Sequence, residues 1–461
     1  MAEIFTRKFS EVSGGRFDPE FYIGQTIQIA TYPLKNFVKI KSGKRIPKGR
    51  SYANTTTTYK YLRVDDLDSE ILEIDIDKLK SIDKDIFTLL ERYEIHNDEV
   101  ALSIAGTIGK VFIFHNTTSN RVILTENCVK LQAQDNLLPK FLSLILKTDF
   151  LQSQMKRQYI QTTIPKLAIE RIKELQIPSI PPFSTQQHII DLMDKAYKAK
   201  KEKENKAKEL LDSIDSYLLE ELGIILPLRA NNTLDSRIYT QKISALSGSR
   251  FDANYHQPYY KKFEQALESG KYKTLRLVDI CQFRRGSFPQ PYGNQEWYGG
   301  ANAMPFVQVA DIDDNFKLKE KTNQQISQLA QPKSVFVSQN TIILSIQGTI
   351  GRVAITQYDC YVDRTIAIFT ELSNLLNQHF LAYMLSILFK NKADTARGIT
   401  LKTITKEEFR NFKIPLPPLT EQERIAKEIS QRKAQAKALK QEAKESLESA
   451  KKEVEHIILG G

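Results

Sequence analysis

The sequence has few residues of the kinds that build disulfide frameworks or metal sites. Only three of its 461 residues are cysteines, and they lie far apart, at Cys128, Cys281 and Cys360. They show no Cys-x-x-Cys spacing, and the six histidines show no His-Glu-x-x-His motif. The sequence therefore predicts three small buried thiols in a reducing compartment, without a disulfide or a zinc site.

Long apolar runs and targeting segments are also missing. The longest run, FLAYMLSILF at 380–389, is about half the length that a bilayer span requires. The opening segment, MAEIFTRKFSEVSGG, lacks the apolar core of a secretory signal. We therefore predict a cytoplasmic protein with no membrane partner.

Motifs that carry catalysis are absent as well. The chain has no GxxxxGK[ST] phosphate loop, no GxSxG elbow and no Asn/Asp-Pro-Pro-Tyr/Phe motif of adenine methyltransferases. Aspartates at 65–68 and 311–314 could bind a metal, but their place after apolar strands favours turn-forming side chains. We predict a protein that is not an enzyme and binds no metal or cofactor itself.

Positive charge is in excess. The formal net charge is +11 and the isoelectric point is about 9.2. Such a surplus suits a polyanionic partner, although many soluble proteins carry a similar charge for solubility alone.

One ten-residue phrase occurs twice, as LSIAGTIGKV at 102–111 and as LSIQGTIGRV at 344–353. Three further pairs of similar segments occur in the same order, at 14–22 and 248–256, at 61–68 and 306–313, and at 181–189 and 417–425. Four collinear pairs indicate an internal duplication, and the long period excludes a solenoid.

Each half has the same order of predicted elements. In the segment 97–114, alternating apolar residues on one side and a β-branched run on the other flank a Gly-x-x-Gly turn. This pattern predicts a hairpin. An apolar, helix-like stretch follows, at 141–155 and again at 380–393. Proline-rich segments at 177–182 and 414–418 then end each mixed region.

A long segment almost free of glycine and proline follows each proline stop, which predicts helices over 184–222 and 420–459. We predict N-caps at Ser184 or Thr185 and at Thr420, where Glu423 completes a capping-box spacing. Small apolar residues recur every seven positions in the second segment, at Ile429, Ala436, Ala443, Ala450 and Ile457. This repeat predicts a coiled coil, and a single solvated helix is the alternative.

Basic and aromatic residues occur at matching places in both halves, as expected for a nucleic-acid surface. Each of them is also consistent with ordinary solvated surface. The two halves diverge most at 41–60 and 284–303, and we call these the variable stretches. Their candidates are Lys41, Lys44, Arg45, Lys48, Arg50 and Tyr52 in the first half and Arg284, Arg285, Tyr292 and Trp297 in the second. Further candidates are Arg157, Lys166, Arg397 and Lys402.

The repeated Gly-Thr-Ile-Gly turns allow two interpretations. Their backbone N–H groups, with the basic residue that follows, could bind a phosphate. Alternatively, the glycines serve only a hairpin turn that needs positive φ. The residues concerned are Gly106, Thr107 and Lys110 in the first half and Gly348, Thr349 and Arg352 in the second.

The repeated GTIG phrases and the PPLTEQERI run at 417–425, which leads into a long helix, resemble the specificity (S) subunit of Type I restriction–modification systems. The resemblance covers essentially the whole chain. It implies two target recognition domains that each read one half of a split site in double-stranded DNA, and two helices that form an antiparallel coiled coil. It also implies modification (methyltransferase) subunits that use S-adenosylmethionine and a restriction (translocase/nuclease) subunit that uses ATP and Mg²⁺.

The sequence and the resemblance together predict an α+β fold with two similar mixed α/β domains. The expected division is 1–180 for recognition domain 1, 181–240 for spacer helix 1 and a linker, 241–416 for recognition domain 2 and 417–461 for spacer helix 2. The predicted function is non-catalytic recognition of a bipartite, asymmetric DNA site. A coiled-coil scaffold without DNA specificity and a solitary DNA-modifying enzyme are the alternatives.

Overall fold

In a computed structural model, the described part of the chain divides into two units. Unit 1 comprises the described residues up to Glu204 together with those from Lys440 onward, and unit 2 comprises those from Asn205 to Leu439. The structure describes residues 29–67, 74–158, 165–229, 233–234, 238–246, 251, 253, 255–396 and 402–460.

Unit 1 is a mixed α/β unit. Its strands are β1 (Thr31–Pro33), β2 (Val38–Ser42), β3 (Tyr59–Leu62), β4 (Lys80–Ser81), β5 (Val100–Ser103), β6 (Val111–Ile113), β7 (Arg121–Leu124), β8 (Cys128–Ala133) and β9 (Gln176–Pro178). Its helices are α1 (Lys84–Leu90), α2 (Pro139–Lys147), α3 (Asp149–Gln158), α4 (Ile169–Lys173) and the first part of α5 (Phe183–Glu221).

Unit 2 repeats this composition. Its helices are α6 (Ile243–Leu246), α7 (Pro258–Glu268), α8 (Leu277–Ile280), α9 (Gln378–Lys392), α10 (Lys406–Arg410) and the first part of α11 (Leu419–Ile458). Its strands are β10 (Thr274–Arg276), β11 (Gln282–Arg285), β12 (Met304–Val307), β13 (Gln324–Ile326), β14 (Val335–Val337), β15 (Ile342–Ser345), β16 (Val353–Ile355), β17 (Cys360–Val362), β18 (Ile366–Thr370) and β19 (Lys413–Pro415).

The two units have similar sheet topologies, although the second sheet has three strands in unit 1, in the order β4-β3-β7, and four in unit 2, in the order β13-β12-β17-β14. A four-stranded antiparallel sheet has the order β2-β8-β5-β6 in unit 1 and β11-β18-β15-β16 in unit 2. A second sheet pairs β3 in parallel with β7, and β12 in parallel with β17. A two-stranded antiparallel ribbon, β1 with β9 or β10 with β19, pairs the first strand of each unit with the strand at its proline stop. This shared topology confirms that the chain contains a duplicated mixed module.

The predicted hairpin is present, since β5 and β6 pair antiparallel around the first GTIG turn. The apolar stretch at 141–155 is two helices instead of one, because the chain turns at Thr148. The Thr148 hydroxyl donates to Ile145 O at 2.7 Å and accepts from Leu151 N at 3.3 Å, so it caps the second helix.

The three cysteines are all buried free thiols, as the sequence predicts. Burial raises the pKa of each thiol to about 12, so Cys128, Cys281 and Cys360 stay protonated at neutral pH. No helix in the described part of the chain is both long and apolar enough to cross a membrane.

The two long helices bury the seam that the heptad pattern predicts. Ile429, Ala436 and Ala443 are each at most 1% exposed. In unit 2, Arg424 pairs with Glu221, and Arg432 Nη1 donates to Ser213 Oγ at 3.0 Å, so the helices run antiparallel there. In unit 1, Lys203 pairs with Glu442 at 3.1 Å.

The long helices begin earlier than predicted. α5 begins at Phe183 and α11 at Leu419, directly after Pro182 and Pro418. Ser184, Thr185 and Thr420 therefore lie inside the first turns, and the predicted N-caps are wrong. Proline fits the position before a first turn because it has no N–H to leave unsatisfied.

A buried glutamine in the first turn attaches each long helix to its domain. Gln422 is fully buried, and its Oε1 accepts from Asn377 N at 2.8 Å. Its Nε2 donates to Leu375 O and to Pro417 O, both at 2.8 Å. Gln186 in unit 1 is equally buried and makes the same three bonds, with Leu138 N, Asn136 O and Pro181 O.

We expect Gln422→Leu to lower the free energy of unfolding of unit 2 by about 3 kcal/mol or more, because it leaves three buried backbone groups without partners. Trp297 is the single tryptophan and lies in unit 2, so its fluorescence in a urea titration reports this unit. Gln435→Leu, at an exposed position of the same helix, is the control and should change stability by less than about 0.5 kcal/mol. Equal effects of the two variants would contradict the assignment.

Candidate nucleic-acid interface

The two GTIG turns have the same internal hydrogen bonds. Ser103 Oγ donates to Thr107 O at 2.6 Å and accepts from Lys110 N at 2.8 Å. Ser345 Oγ makes the same two bonds, at 2.6 and 2.9 Å, to Thr349 O and Arg352 N. Both serines are fully buried, so each turn is held rigidly against the end of its sheet.

The glycines of these turns serve the backbone conformation. All four have φ between 75° and 94°, a region that other residues rarely adopt, and they are Gly106, Gly109, Gly348 and Gly351. Their N–H groups donate to carbonyl oxygens of the same unit, those of Pro165, Ser103, Lys402 and Ser345. The glycines therefore fit the turn interpretation, and the exposed parts of each turn are Gly106 and Thr107, or Gly348 and Thr349.

The basic residue after each turn points back to the protein. Lys110 Nζ donates to Val64 O at 3.1 Å, and Arg352 Nη1 donates to Ile312 O at 3.0 Å. Both side chains thus tie their turn to the loop that follows the first strand of the second sheet. In this arrangement they position the turn instead of extending into solvent.

The aspartates of these loops form turns. Asp66 Oδ2 accepts from Arg63 N, and Asp311 Oδ2 accepts from Gln308 N, both at 2.9 Å. Asp311 is fully buried and also accepts from Asn323 N. Within the described ranges, no three His, Cys, Asp or Glu side chains are grouped closely enough to hold a metal ion.

A lysine from a distant part of the sequence lies beside each GTIG turn. Leu167 N donates to Ile104 O, which places the exposed Lys166 next to Gly106. In the same way Ile404 N donates to Ile346 O in unit 2. The carbonyl oxygen of Lys402 accepts a hydrogen bond from Gly348 N, so Lys402 lies beside the second turn. The structure thus brings together candidates that are far apart in the sequence, and it does so in both units.

The variable stretches leave the sheet at equivalent points. A Cβ atom on Gly43 would lie 2.0 Å from Thr125 O, and one on Gly286 would lie 2.3 Å from Asp363 O. Only glycine allows this close approach of two backbones. Gly43 and Gly286 therefore fix the point at which each loop leaves its sheet. The two loops differ in amino-acid composition but begin at equivalent positions.

The loop of unit 1 presents many cations. Lys41 near the end of β2 and Lys44, Arg45, Lys48 and Arg50 in the loop are all exposed, and Tyr52 is 38% exposed, edge-on to Tyr61. Two of these cations have carboxylate partners, Arg45 with Glu126 and Arg50 with Asp85. Burial acts most strongly on Glu126 and would raise its pKa, but the hydrogen bonds from Arg45, from the backbone and from Thr125, together with the charge of Arg45, outweigh burial, so the pKa of that carboxyl is lowered.

The loop of unit 2 presents fewer cations and more aromatic surface. Arg284 and Arg285, which end β11 just before this loop, are exposed, and Arg284 Nη2 donates to Phe336 O at 3.0 Å. Tyr292 is 64% exposed. Trp297 is only 6% exposed, donates from Nε1 to Pro291 O at 3.1 Å and packs under Lys333. It supports the loop from within, so no face of its ring is free for a base.

Arg157 and Arg397 add little to the description of the candidate interface. Arg364, which the sequence analysis did not name, is a further exposed cation in unit 2. Arg157 is half-buried at the end of α3, and burial lowers its pKa. Arg397 lies outside the described residues. The exposed Arg364 lies over the Phe288 ring at 5.2 Å, and in the repeat it matches Glu126. Alignment of the two halves would have shown this charge reversal.

A family model described as the type I restriction modification DNA specificity domain matches residues 27–212 and again residues 269–449. The chain belongs to this family and carries its domain twice. The family consists of non-catalytic DNA-recognition subunits that bind no cofactor, and catalysis lies in partner subunits.

Known proteins are similar to this chain over about a third of its length or over more than four fifths of it. A relative from Methanocaldococcus jannaschii, which carries the name type I restriction enzyme MjaX specificity subunit, is 21% identical over 403 residues, which are 84% of each chain. The type I restriction enzyme EcoBI specificity subunit of Escherichia coli is 25% identical over 153 residues, which are 32% of each chain. A solved chain from work on complex assembly and conformational transition of the type I R-M system is similar in fold. Its TM-score is 0.54 at 17% identity, over 93% of this chain and 96% of that one.

We expect Lys166→Gln and Lys402→Gln each to weaken binding to DNA duplexes of any sequence by a similar factor. The reason is that a lysine beside a turn common to both units suits a phosphate, which carries no sequence information. Each variant should reduce the slope of log affinity against log salt by about 1.

Lys452→Gln, at an exposed position on α11, is the matched control and should leave the slope unchanged. A loss of affinity confined to one DNA sequence would contradict the phosphate assignment.

Proposed function

We propose that this chain reads a split, asymmetric DNA site, with one recognition domain for each half-site. The observation that carries this proposal is the repeated topology with different loops. The same four-stranded antiparallel sheet and the same GTIG turn occur in both units, whereas the exposed stretches after Gly43 and Gly286 differ. In this proposal, residues 1–180 and 241–416 are the recognition domains, and residues 181–240 and 417–461 are the spacer segments.

Symmetry arguments favour a bipartite site. Duplex DNA has two-fold symmetry, and a duplicated module can present similar surfaces to two segments of it. A cationic loop in one unit and an aromatic loop in the other do not recognise the same bases. The site is therefore gapped and not palindromic.

The proposed contact surface comprises the exposed parts of the turns and the loops. Shared residues beside the turns position the protein on phosphates, and the divergent loops read bases. The surface is supported from the protein side by three residues that bind backbone carbonyls, namely Lys110, Arg352 and the buried Trp297. The contacts are assigned to Lys41, Lys44, Arg45, Lys48, Arg50, Tyr52, Thr107 and Lys166 in unit 1 and to Arg284, Arg285, Tyr292, Thr349 and Lys402 in unit 2.

The long helices α5 and α11 form, in this proposal, an antiparallel coiled coil that sets the half-site spacing and docks modification subunits. The antiparallel contacts of Arg424 with Glu221 and of Arg432 with Ser213 support it, as does the buried alanine seam. S-adenosylmethionine then belongs to the modification subunits, and ATP and Mg²⁺ belong to a restriction subunit.

The decisive experiment is genome-wide mapping of methylated adenines by single-molecule sequencing, in cells that express this chain with and without its methyltransferase partner. We expect a gapped, asymmetric motif that is methylated only when both proteins are present. Methylation that does not need this chain, or that occurs at an ungapped motif, would refute the proposal.

Exchange of one domain tests the assignment of domains to half-sites. Replacing residues 27–176 with the matching domain of a relative should change one half of the methylated motif and leave the other half and the gap intact. The readout is the same methylation map, and changes in both halves would contradict independent reading.

A further inference from the structure

One buried cation in unit 2 has no hydrogen-bond acceptor. In the part of the chain that the structure describes, Lys433 Nζ is the buried side-chain nitrogen that lacks such a partner. It lies on α11, 3.5 Å from the centroid of the Phe316 ring and 5.3 Å from that of the Tyr383 ring. The two rings are edge-to-face at 5.0 Å, so they form two walls around the ammonium group.

Phe316 is the tip of a small hairpin that belongs to the recognition domain. Asp313 N donates to Lys317 O and Lys319 N donates to Asp311 O, which closes the hairpin behind the tip. Phe316 itself has a φ of 64°, an unfavourable value for an aromatic residue. The tip therefore holds a strained backbone conformation while it covers a charge.

The net effect of this environment on the charge is unfavourable. Burial lowers the pKa of Lys433 to about 8, although Asp313 and Asp314 on the hairpin and Asp215 on α5 act to raise it, and Lys390 on α9 adds to the lowering. Lysine ordinarily holds its proton up to about pH 10.5. The covered state therefore binds the proton more weakly than a solvated lysine does, and it gains stability as the pH rises from 8 toward 10.5.

Unit 1 builds the same junction without a buried cation on its long helix. The repeat aligns Lys433 with Tyr197, which is 5% exposed, and the cation there is Lys147 on the domain helix, 5.9 Å from the ring. An uncharged side chain on the long helix thus suffices to pack this junction. Packing alone does not explain the lysine in unit 2.

The hairpin also holds the basic residue beside the second GTIG turn. Arg352 Nη1 donates to Ile312 O, within the same hairpin, at 3.0 Å. If the tip leaves Lys433, this carbonyl moves with it and the guanidinium group is released. Arg352 directly follows the turn, so it would then lie at the proposed DNA surface.

We propose that Lys433 keeps the hairpin 311–319 poised to open, and that opening releases Arg352 to bind a DNA phosphate. Lys433 acts through the hairpin and touches no DNA, so it is a positioning residue. The DNA part of this inference rests on the proposed function, whereas the poised hairpin does not.

The first test measures hydrogen exchange of the peptide that covers 312–319 in the full-length chain at pH 7, by mass spectrometry. Lys433→Met keeps the length of the side chain and removes the charge, and it should slow exchange about tenfold, because an unpaired buried cation no longer opposes closure. Lys437→Met, at an exposed position one turn further along α11, is the control and should leave exchange unchanged.

The wild-type chain provides a second measurement that needs no variant. After correction for the intrinsic exchange rate, protection of 312–319 should increase as the pH rises through about 8, and Lys433→Met should show no such increase. Equal or faster exchange in Lys433→Met, or a wild-type profile that is flat with pH, would overturn the poised hairpin.

The third measurement is a double-mutant cycle on a mixed-sequence DNA duplex, with affinity recorded across salt concentrations. Arg352→Gln should reduce the salt slope by about 1 in the wild-type background and by much less in Lys433→Met, where Arg352 is already held back. An equal reduction in both backgrounds would overturn the link from Lys433 to Arg352. If the wild-type chain binds no duplex, the proposed function fails, and the exchange data still decide the hairpin.

Discussion

The attachment of each recognition domain to its long helix depends on one fully buried glutamine. Gln186 and Gln422 each use both amide protons and the carbonyl oxygen, and every partner is a backbone group. An apolar side chain in this place could pack but could not fix direction, whereas three hydrogen bonds in a dry environment define the orientation of the helix relative to the domain. The position of the exposed loops follows from that orientation.

The duplication made the architecture predictable from one sequence. Four collinear repeats indicated two equal modules, and the alternation around 102 and 344 and the heptads in 420–459 indicated hairpins and long helices that the structure contains. Local hydrophobic periodicity shows which face of a helix or strand is buried, so such elements can be predicted from the sequence. The helix starts were not, because the N-cap prediction relied on Ser184, Thr185 and Thr420 instead of the proline directly before each first turn. The attachment by the glutamines could not be predicted either, because each glutamine binds a partner 45 or 48 residues away.

The candidate site could be predicted only in part, because it too depends on contacts between distant parts of the sequence. Composition identifies cations and aromatic residues, but their direction is set by tertiary contacts. Lys110 and Arg352 look like phosphate ligands beside a glycine turn, and each donates to a carbonyl of a neighbouring loop. Trp297 lies among exposed residues in the sequence, yet its ring supports the loop from below. The pairing of Lys166 and Lys402 with the turns depends on backbone bonds between distant segments.

Unit 1 includes residues from Lys440 onward, which follow all of unit 2 in the chain. Leu447, Ala450 and Val454 are buried in the same core as Leu34 and Val38. A ribosome delivers the strands of unit 1 first, but the helix that completes their core emerges last, after unit 2 has all its own segments. Domains generally fold as they are synthesised. Unit 1, however, cannot complete its core until the last residues of the chain have been translated. A premature stop codon near position 440 would therefore damage the half of the protein that was already made and spare the half that came after it.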